Sequence, residues 1–119
     1  MSYIKIYKYI GYHIGIAVNM AYVDGCDMRG FLSFQILWLL SKREMHGEEI
    51  AEEIAKRRGE KPKAGTLYPA LRELSERDLI TGRKSGRIIT YTLTAQGRET
   101  VREAKVYFAK CFGDILTER

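Results

Sequence analysis

The chain's 119 residues, 45% hydrophobic and 29% charged, make one soluble globular domain with at most a short extension; so small a core gains buried surface by pairing with a second copy. A net charge of +5 suits a polyanion such as DNA. Two cysteines, Cys26 and Cys111, exclude a disulfide framework and a zinc ribbon and fit a reducing cytosol.

Residues 3–23 are rich in aromatic and β-branched side chains, a mix that favours strand. The uncharged run Ile10–Val23 is too short for a bilayer and contains His13 and Asn19. Lys5 and Lys8 ahead of it give a faint look of a signal peptide. However, a small-x-small cleavage site is missing, and Asp24 spoils a lipoprotein-like reading of Cys26. Two readings stay open. Either the segment is a hairpin that adds to the domain or to a dimer, or Met28 is the natural start and residues 1–27 come from an upstream start. In both, residues 1–27 are an extension without recognisable chemistry.

The body opens with Phe31–Leu40, apolar almost all round, the pattern of a helix buried on most sides, one side against its own domain and another against a partner subunit. Lys42 and Arg43 follow at its C-terminal end, where positive charge suits the helix dipole. Met45–Gly47 reads as a turn. The next helix, Glu48–Arg58, buries Ile50, Ala51, Ile54 and Ala55 and carries Glu52–Lys56 and Glu53–Arg57 at the favourable i, i+4 spacing, with Gly59 as its C-cap. After the loop Glu60–Lys63 comes a helix with Leu67, Leu71 and Leu74 on one face and Thr66, Tyr68, Pro69, Arg72 and Glu73 on the others. Two strand-like runs, Leu79–Arg83 and Arg87–Leu93, flank the turn Lys84-Ser85-Gly86. Ile89, Tyr91 and Leu93 alternate onto one face, which predicts that all three pack on the helices. Thr94 is placed to N-cap a last helix over Ala95–Leu116.

A helix followed at once by a basic hairpin is the recognition half of a winged helix. The predicted class is therefore α+β, mainly α: a winged helix-turn-helix over residues 28–93 and a C-terminal dimerisation helix over 94–119. In that last helix Val101, Ala104, Phe108, Cys111 and Ile115 repeat at period 3.5, the mark of a helix that packs along a partner helix. With Phe112 beside them and Phe31 and Phe34 from the first helix, they are the predicted dimer interface.

The motifs also support a resemblance. Met45-His46-Gly47 with Glu49-Ile50, the run Gly65-Thr-Leu-Tyr-Pro-Ala-Leu71 with Leu74, then Leu79-Ile80, and Tyr91 with Leu93-Thr94 and Gly97 carry it. From Met28 to Leu116 the chain resembles the PadR-like family of winged-helix transcriptional regulators, in its short subgroup with one C-terminal dimerisation helix. The resemblance implies a homodimeric, cytoplasmic, DNA-binding repressor, often one whose affinity is tuned by a small molecule. Three features depart from the family pattern. Glu48 stands where an aromatic is usual, Ala64 where a proline is frequent, and Ile88, Ile89, Thr90 and Thr92 replace a more basic wing strand.

Candidate DNA contacts follow. Thr66 and Tyr68 lie at the start of the recognition helix, where phosphate and base edges are met; the plainer alternative packs Tyr68 against the neighbours of Pro69 or against the wing. Lys61, Lys63 and Arg72 are placed for phosphate or a base, or else are solvated charges. Arg83, Lys84 and Arg87 form the wing-tip set. Arg57 and Arg58 are expected to join the same basic surface. Trp38, Tyr107 and Phe108 are the candidates for a pocket holding a small hydrophobic or phenolic effector, against a filled core. Cys111 reads as a buried small hydrophobe and His46 as a turn residue. The sequence offers no nucleophile–base pair, no Gly-rich phosphate loop, no metal set and hence no cofactor, which points away from an enzyme. A winged helix that binds protein instead of DNA is the rival reading; the charge on the recognition face separates the two.

Overall fold

The apolar run at Phe31–Leu40 becomes helix α1 (Leu32–Leu40), and its all-round hydrophobicity is used all round: it touches every other helix and the sheet, with Ile36 and Leu37 fully buried. The structure, a computed structural model, describes residues 31–117, so the expectations for residues 1–27 lie outside the described residues. After α1 come β1 (Met45–His46), α2 (Gly47–Arg58), α3 (Ala64–Glu76), β2 (Ile80–Ser85), β3 (Ile88–Leu93) and α4 (Ala95–Thr117). The three strands form an antiparallel sheet in the order β1-β3-β2. This is the winged helix-turn-helix that the sequence predicts.

Helix α2 starts with a capping box. The Glu49 backbone N–H donates to His46 Nδ1 at 3.4 Å, and the His46 N–H donates to Glu49 Oε1 at 3.0 Å. His46 is thus a helix cap, and with Met45 it also forms the short strand β1, paired Met45↔Tyr91 and His46↔Thr90, where the sequence suggests only a turn. Gly59 closes the helix in the left-handed region, its N–H donating to the Ala55 carbonyl. Of the two ion pairs expected on α2, Glu53–Arg57 forms at 2.9 Å, while Lys56 turns to Glu53 at 3.0 Å rather than to Glu52, one helical turn being equally well spanned at i, i+3.

Leu67, Leu71 and Leu74 of α3 are all buried, each worth roughly 1.5–3 kcal/mol of transfer free energy. The helix ends in a Schellman motif: Leu79 N–H donates to the Leu74 carbonyl, Asp78 N–H donates to the Ser75 carbonyl, and Asp78 takes φ 61° at the position glycine usually holds. That turn delivers Leu79 and Ile80 into the core. The hairpin turn is Gly86-Arg87, one residue later than expected, because Ser85 pairs with Ile88; Gly86 supplies φ +64° at the first turn position.

Two expectations about packing are corrected. Tyr91 and Leu93 are buried, but Ile89 is 40% exposed, since β2 and β3 run on past the helices as a free ribbon and there is nothing above Ile89 to cover it. The stripe along α4 also divides. Val101 and Ala104, at 5% and 1% exposure, are used up in the protomer's own core, where α4 lies along α1. They are unavailable to a partner helix. Phe108 and Phe112 meet Phe31, and Phe108 meets Phe34, as an aromatic cluster with centroids 4.9–6.3 Å apart. The far end of α4 is uncovered, with Ile115 67% and Leu116 74% exposed, and Val106 further up the helix is 44% exposed. Cys111 is a free, exposed thiol, not a buried hydrophobe, because it sits on the outer face of α4 beyond the core. Among the described residues no helix is long and apolar enough to cross a membrane.

Candidate nucleic-acid interface

The exposed side of α3 and the free ribbon of β2 and β3 meet along one edge. Lys63 is the N-cap residue of α3, and Thr66, Tyr68 and Arg72 project from its solvent side. Pro69 sits inside the helix, so its nitrogen cannot donate to the Gly65 carbonyl, which leaves that acceptor on the exposed first turn. Tyr68 is held in place rather than loose. A Cβ built on Gly47 would lie 2.6 Å from its hydroxyl oxygen, so the phenol rests against the start of α2 while 43% of the residue stays exposed. Tyr68 thus packs against the start of α2, a neighbour the sequence does not suggest, and leaves part of its surface open to solvent. Burial, and secondarily the neighbouring Tyr68, push the Tyr91 hydroxyl above the usual tyrosine range, so Tyr91 is a neutral hydroxyl at any physiological pH.

The cations predicted from sequence fall into two groups. Lys63, Arg72, Lys84 and Arg87 are exposed and have no ion-pair partner among the described residues. Lys61 is bound to Glu48, which raises its pKa above the ordinary lysine value, and Arg83 pairs with Glu44 at 3.2 Å. Arg57 and Arg58 do not join the basic surface. Arg57 pairs with Glu53 and stacks on Trp38 at 5.4 Å, and Arg58 Nε donates to Gln35 Oε1 at 2.7 Å, tying α2 to α1.

An open cleft of about 380 Å³ lies between α3 and the ribbon. Helix α3 contributes Tyr68, Arg72 and Ser75, spaced i, i+4, i+7 along one face. The ribbon contributes two cross-strand pairs, Gly82↔Tyr91 and Lys84↔Ile89, on its facing side. Ser75, Gly82, Ile89 and Tyr91 are members that sequence reasoning misses. The helical spacing from Tyr68 and Arg72 reaches Ser75, but alternation along β3 assigns Ile89 to the core. The trio expected around an effector, Trp38, Tyr107 and Phe108, lies on α1 and α4. Trp38 is faced by the cations of Lys42 (5.1 Å) and Arg57, whereas Phe108 belongs to the aromatic cluster with Phe31, Phe34 and Phe112. Tyr107 packs partly buried against the core. Among the described residues no group of His, Cys, Asp or Glu is placed to hold a metal ion.

A buried three-helix core that carries an exposed basic helix and a hairpin wing defines the winged-helix class. The profile described as Transcriptional regulator PadR-like family matches residues 36–103, more than half of the chain. The chain belongs to that family and is a transcriptional regulator. Among solved structures, it is similar to a PadR family transcription regulator from hypervirulent Clostridium difficile, with 26% identity over 72% of this chain and 98% of that one and a TM-score of 0.62. It is also similar to RosR of H. salinarum, at 27% identity, 68% and 74% coverage and a TM-score of 0.63. A PadR-like transcription factor from Bacteroides fragilis shares the fold, with 23% identity, 85% and 95% coverage and a TM-score of 0.66. A comparison with curated proteins gives no match.

Proposed function

We propose that the protein is a homodimeric, cytoplasmic, DNA-binding repressor, and that the edge built from α3 and the wing is its DNA surface. The observation that carries this reading is the set Lys63, Arg72, Lys84 and Arg87, which stand exposed on that edge with no acidic partner among the described residues. Family membership supports a regulatory role, and the free apolar end of α4, Ile115 and Leu116, supports association through the last helix. Each subunit lays α3 into a major groove, with half-sites about one helical turn apart, as two-fold helix-turn-helix dimers do.

Fluorescence anisotropy of a labelled duplex across a salt series tests the reading. Four phosphate contacts per protomer, eight per dimer, give a log–log slope of about −7. A flat salt response, or no protected site on DNA upstream of the protein's own gene, favours the protein-binding alternative, for which the exposed Ile88 and Ile89 would be the contact. The reading also keeps a small hydrophobic or phenolic effector between α1 and α4, near Trp38, Tyr107 and Phe108. Titration of planar phenols against the emission of Trp38, the sole tryptophan, with DNA affinity measured in parallel, decides that part.

A further inference from the structure

The cleft between α3 and the wing is more than a gap between two DNA-contacting elements. Arg72 stands on its helical wall and Lys84 on its ribbon wall, and neither has an ion-pair partner among the described residues. No carboxylate lines it. Three residues that line it, Tyr68, Ser75 and Tyr91, carry hydroxyl groups, which can donate hydrogen bonds. Gly82 keeps it open: a Cβ there would meet Ile89 Cγ2 at 2.8 Å and Tyr91 Cε1 at 3.3 Å. Ile89, exposed for want of a helix above it, gives one apolar wall.

Two opposed cations, donor hydroxyls, no acid and one aliphatic wall suit an anion with an apolar flank. The geometry points to a phosphate-receiving site in which Arg72 and Lys84 grip the same phosphodiester of the DNA backbone from opposite sides while its deoxyribose lies on Ile89. This inference rests on the DNA-binding reading and adds to it a register: helix and wing converge on one phosphate instead of holding two separate ones. It also gives Ile89 a role in a wing strand that is less basic than the family pattern. A volume of about 380 Å³ accommodates a sugar–phosphate unit.

The two arrangements differ in arithmetic. Separate phosphates make the losses in salt slope of Arg72→Gln and Lys84→Gln add, to about 1.8 per protomer in the double variant; a shared phosphate limits the double variant to about 0.9. The test measures binding of the full-length protein to a random-sequence duplex, with all four charge states of the Arg72/Lys84 pair and with Lys63→Gln/Lys84→Gln as the additive control. Circular dichroism melts confirm that each variant is folded. A double-variant slope loss of about 0.9 per protomer, about 1.8 for a dimer, with additivity in the control, supports the shared grip; full additivity for Arg72 and Lys84, about 3.6 for a dimer, overturns it. In a second arm, inorganic phosphate is titrated against chloride at constant ionic strength, with heat of binding as readout. Phosphate uptake that vanishes in the Arg72/Lys84 double variant shows that the site takes a free phosphate as well as a diester. Absence of uptake together with a shared grip on duplex confines it to the DNA backbone. If the wild type binds neither duplex nor phosphate, the DNA-binding reading itself fails, whereas duplex binding with full additivity removes only the shared site.

Discussion

Gly97 occupies the tightest point of the fold, and replacing it with alanine tests how α4 is fixed to the wing domain. A Cβ at residue 97 would lie 2.1 Å from the Leu79 carbonyl oxygen and 2.7 Å from Leu93 Cδ1. The leucine tip can swing aside, but the carbonyl cannot, because it accepts from the Thr94 N–H at 3.1 Å and lies 3.1 Å from the Thr94 hydroxyl. The same hydroxyl accepts from the Gly97 N–H at 2.9 Å as the N-cap of α4. Relief of the clash therefore requires the helix to back away by about an ångström and to lose its cap. Overpacking costs about 1–3 kcal/mol and loss of a Thr cap about 1 kcal/mol, against about 1 kcal/mol gained from alanine's helix propensity. The sum is a loss of about 1–3 kcal/mol, a large part of a small domain's stability, and lowers Tm by about 5–20 °C. Gly113→Ala is the matched control. It lies in the same helix with nothing within 4 Å of its Cβ, and it should gain about 0.5–1 kcal/mol. Urea and thermal melts of both variants at one protein concentration give the comparison. A Gly97→Ala protein as stable as wild type would show that α4 is not pinned at Leu79 and would refute the packing argument.

Three further outcomes are expected. Ile115→Glu and Leu116→Glu leave the protomer's fold intact, since both side chains are exposed, but each weakens self-association by at least about tenfold; sedimentation velocity over a concentration series reads this, and unchanged association moves the interface off the end of α4. Glu48→Gln frees Lys61 and removes a negative charge from the DNA edge, so affinity for random duplex rises about twofold to fivefold at low salt; an unchanged or weaker affinity places Lys61 outside the interface. Acid sensitivity follows from Glu49, whose carboxyl is held below its ordinary value of 4.5 chiefly by the His46 backbone N–H, and from Glu53, held below it chiefly by Arg57 and then Lys56. A carboxylate with a depressed folded-state pKa contributes stability above its unfolded value, and the contribution is lost as pH falls through the folded one. Stability should thus fall as pH drops below about 4.5, and Glu49→Gln should flatten that fall; an acid limb of equal slope in the variant removes the capping box as its cause.

The helices are legible because their signals are local and redundant. The 4-3 spacing of Leu67, Leu71 and Leu74 fixes the buried face of α3, Gly59 marks the end of α2, and Thr94 caps α4 as its position suggests. What sequence periodicity lacks is the location of the other layer. Alternation along β3 correctly groups Ile89 with Tyr91 and Leu93 on one face, yet burial of that face depends on how far the helices extend beneath it. They stop at Tyr91, so the same periodicity that finds the core also hides the one apolar wall of the cleft. The heptad stripe of α4 is misleading for a related reason. A 3.5 repeat states that a partner helix exists without stating which one, and the protomer's own core already takes Val101 and Ala104. Charge is the least legible of all. Lys61 and Lys84 are equivalent as letters, and what separates a neutralised cation from a free one is Glu48, thirteen residues from Lys61, and Glu44, thirty-nine from Arg83, carboxylates brought to the same edge only when α2, β1 and the ribbon assemble. The free charge on the edge of α3 and the ribbon is therefore a property of the fold, and substitutions at two acidic positions that belong to neither α3 nor the ribbon are expected to tune it.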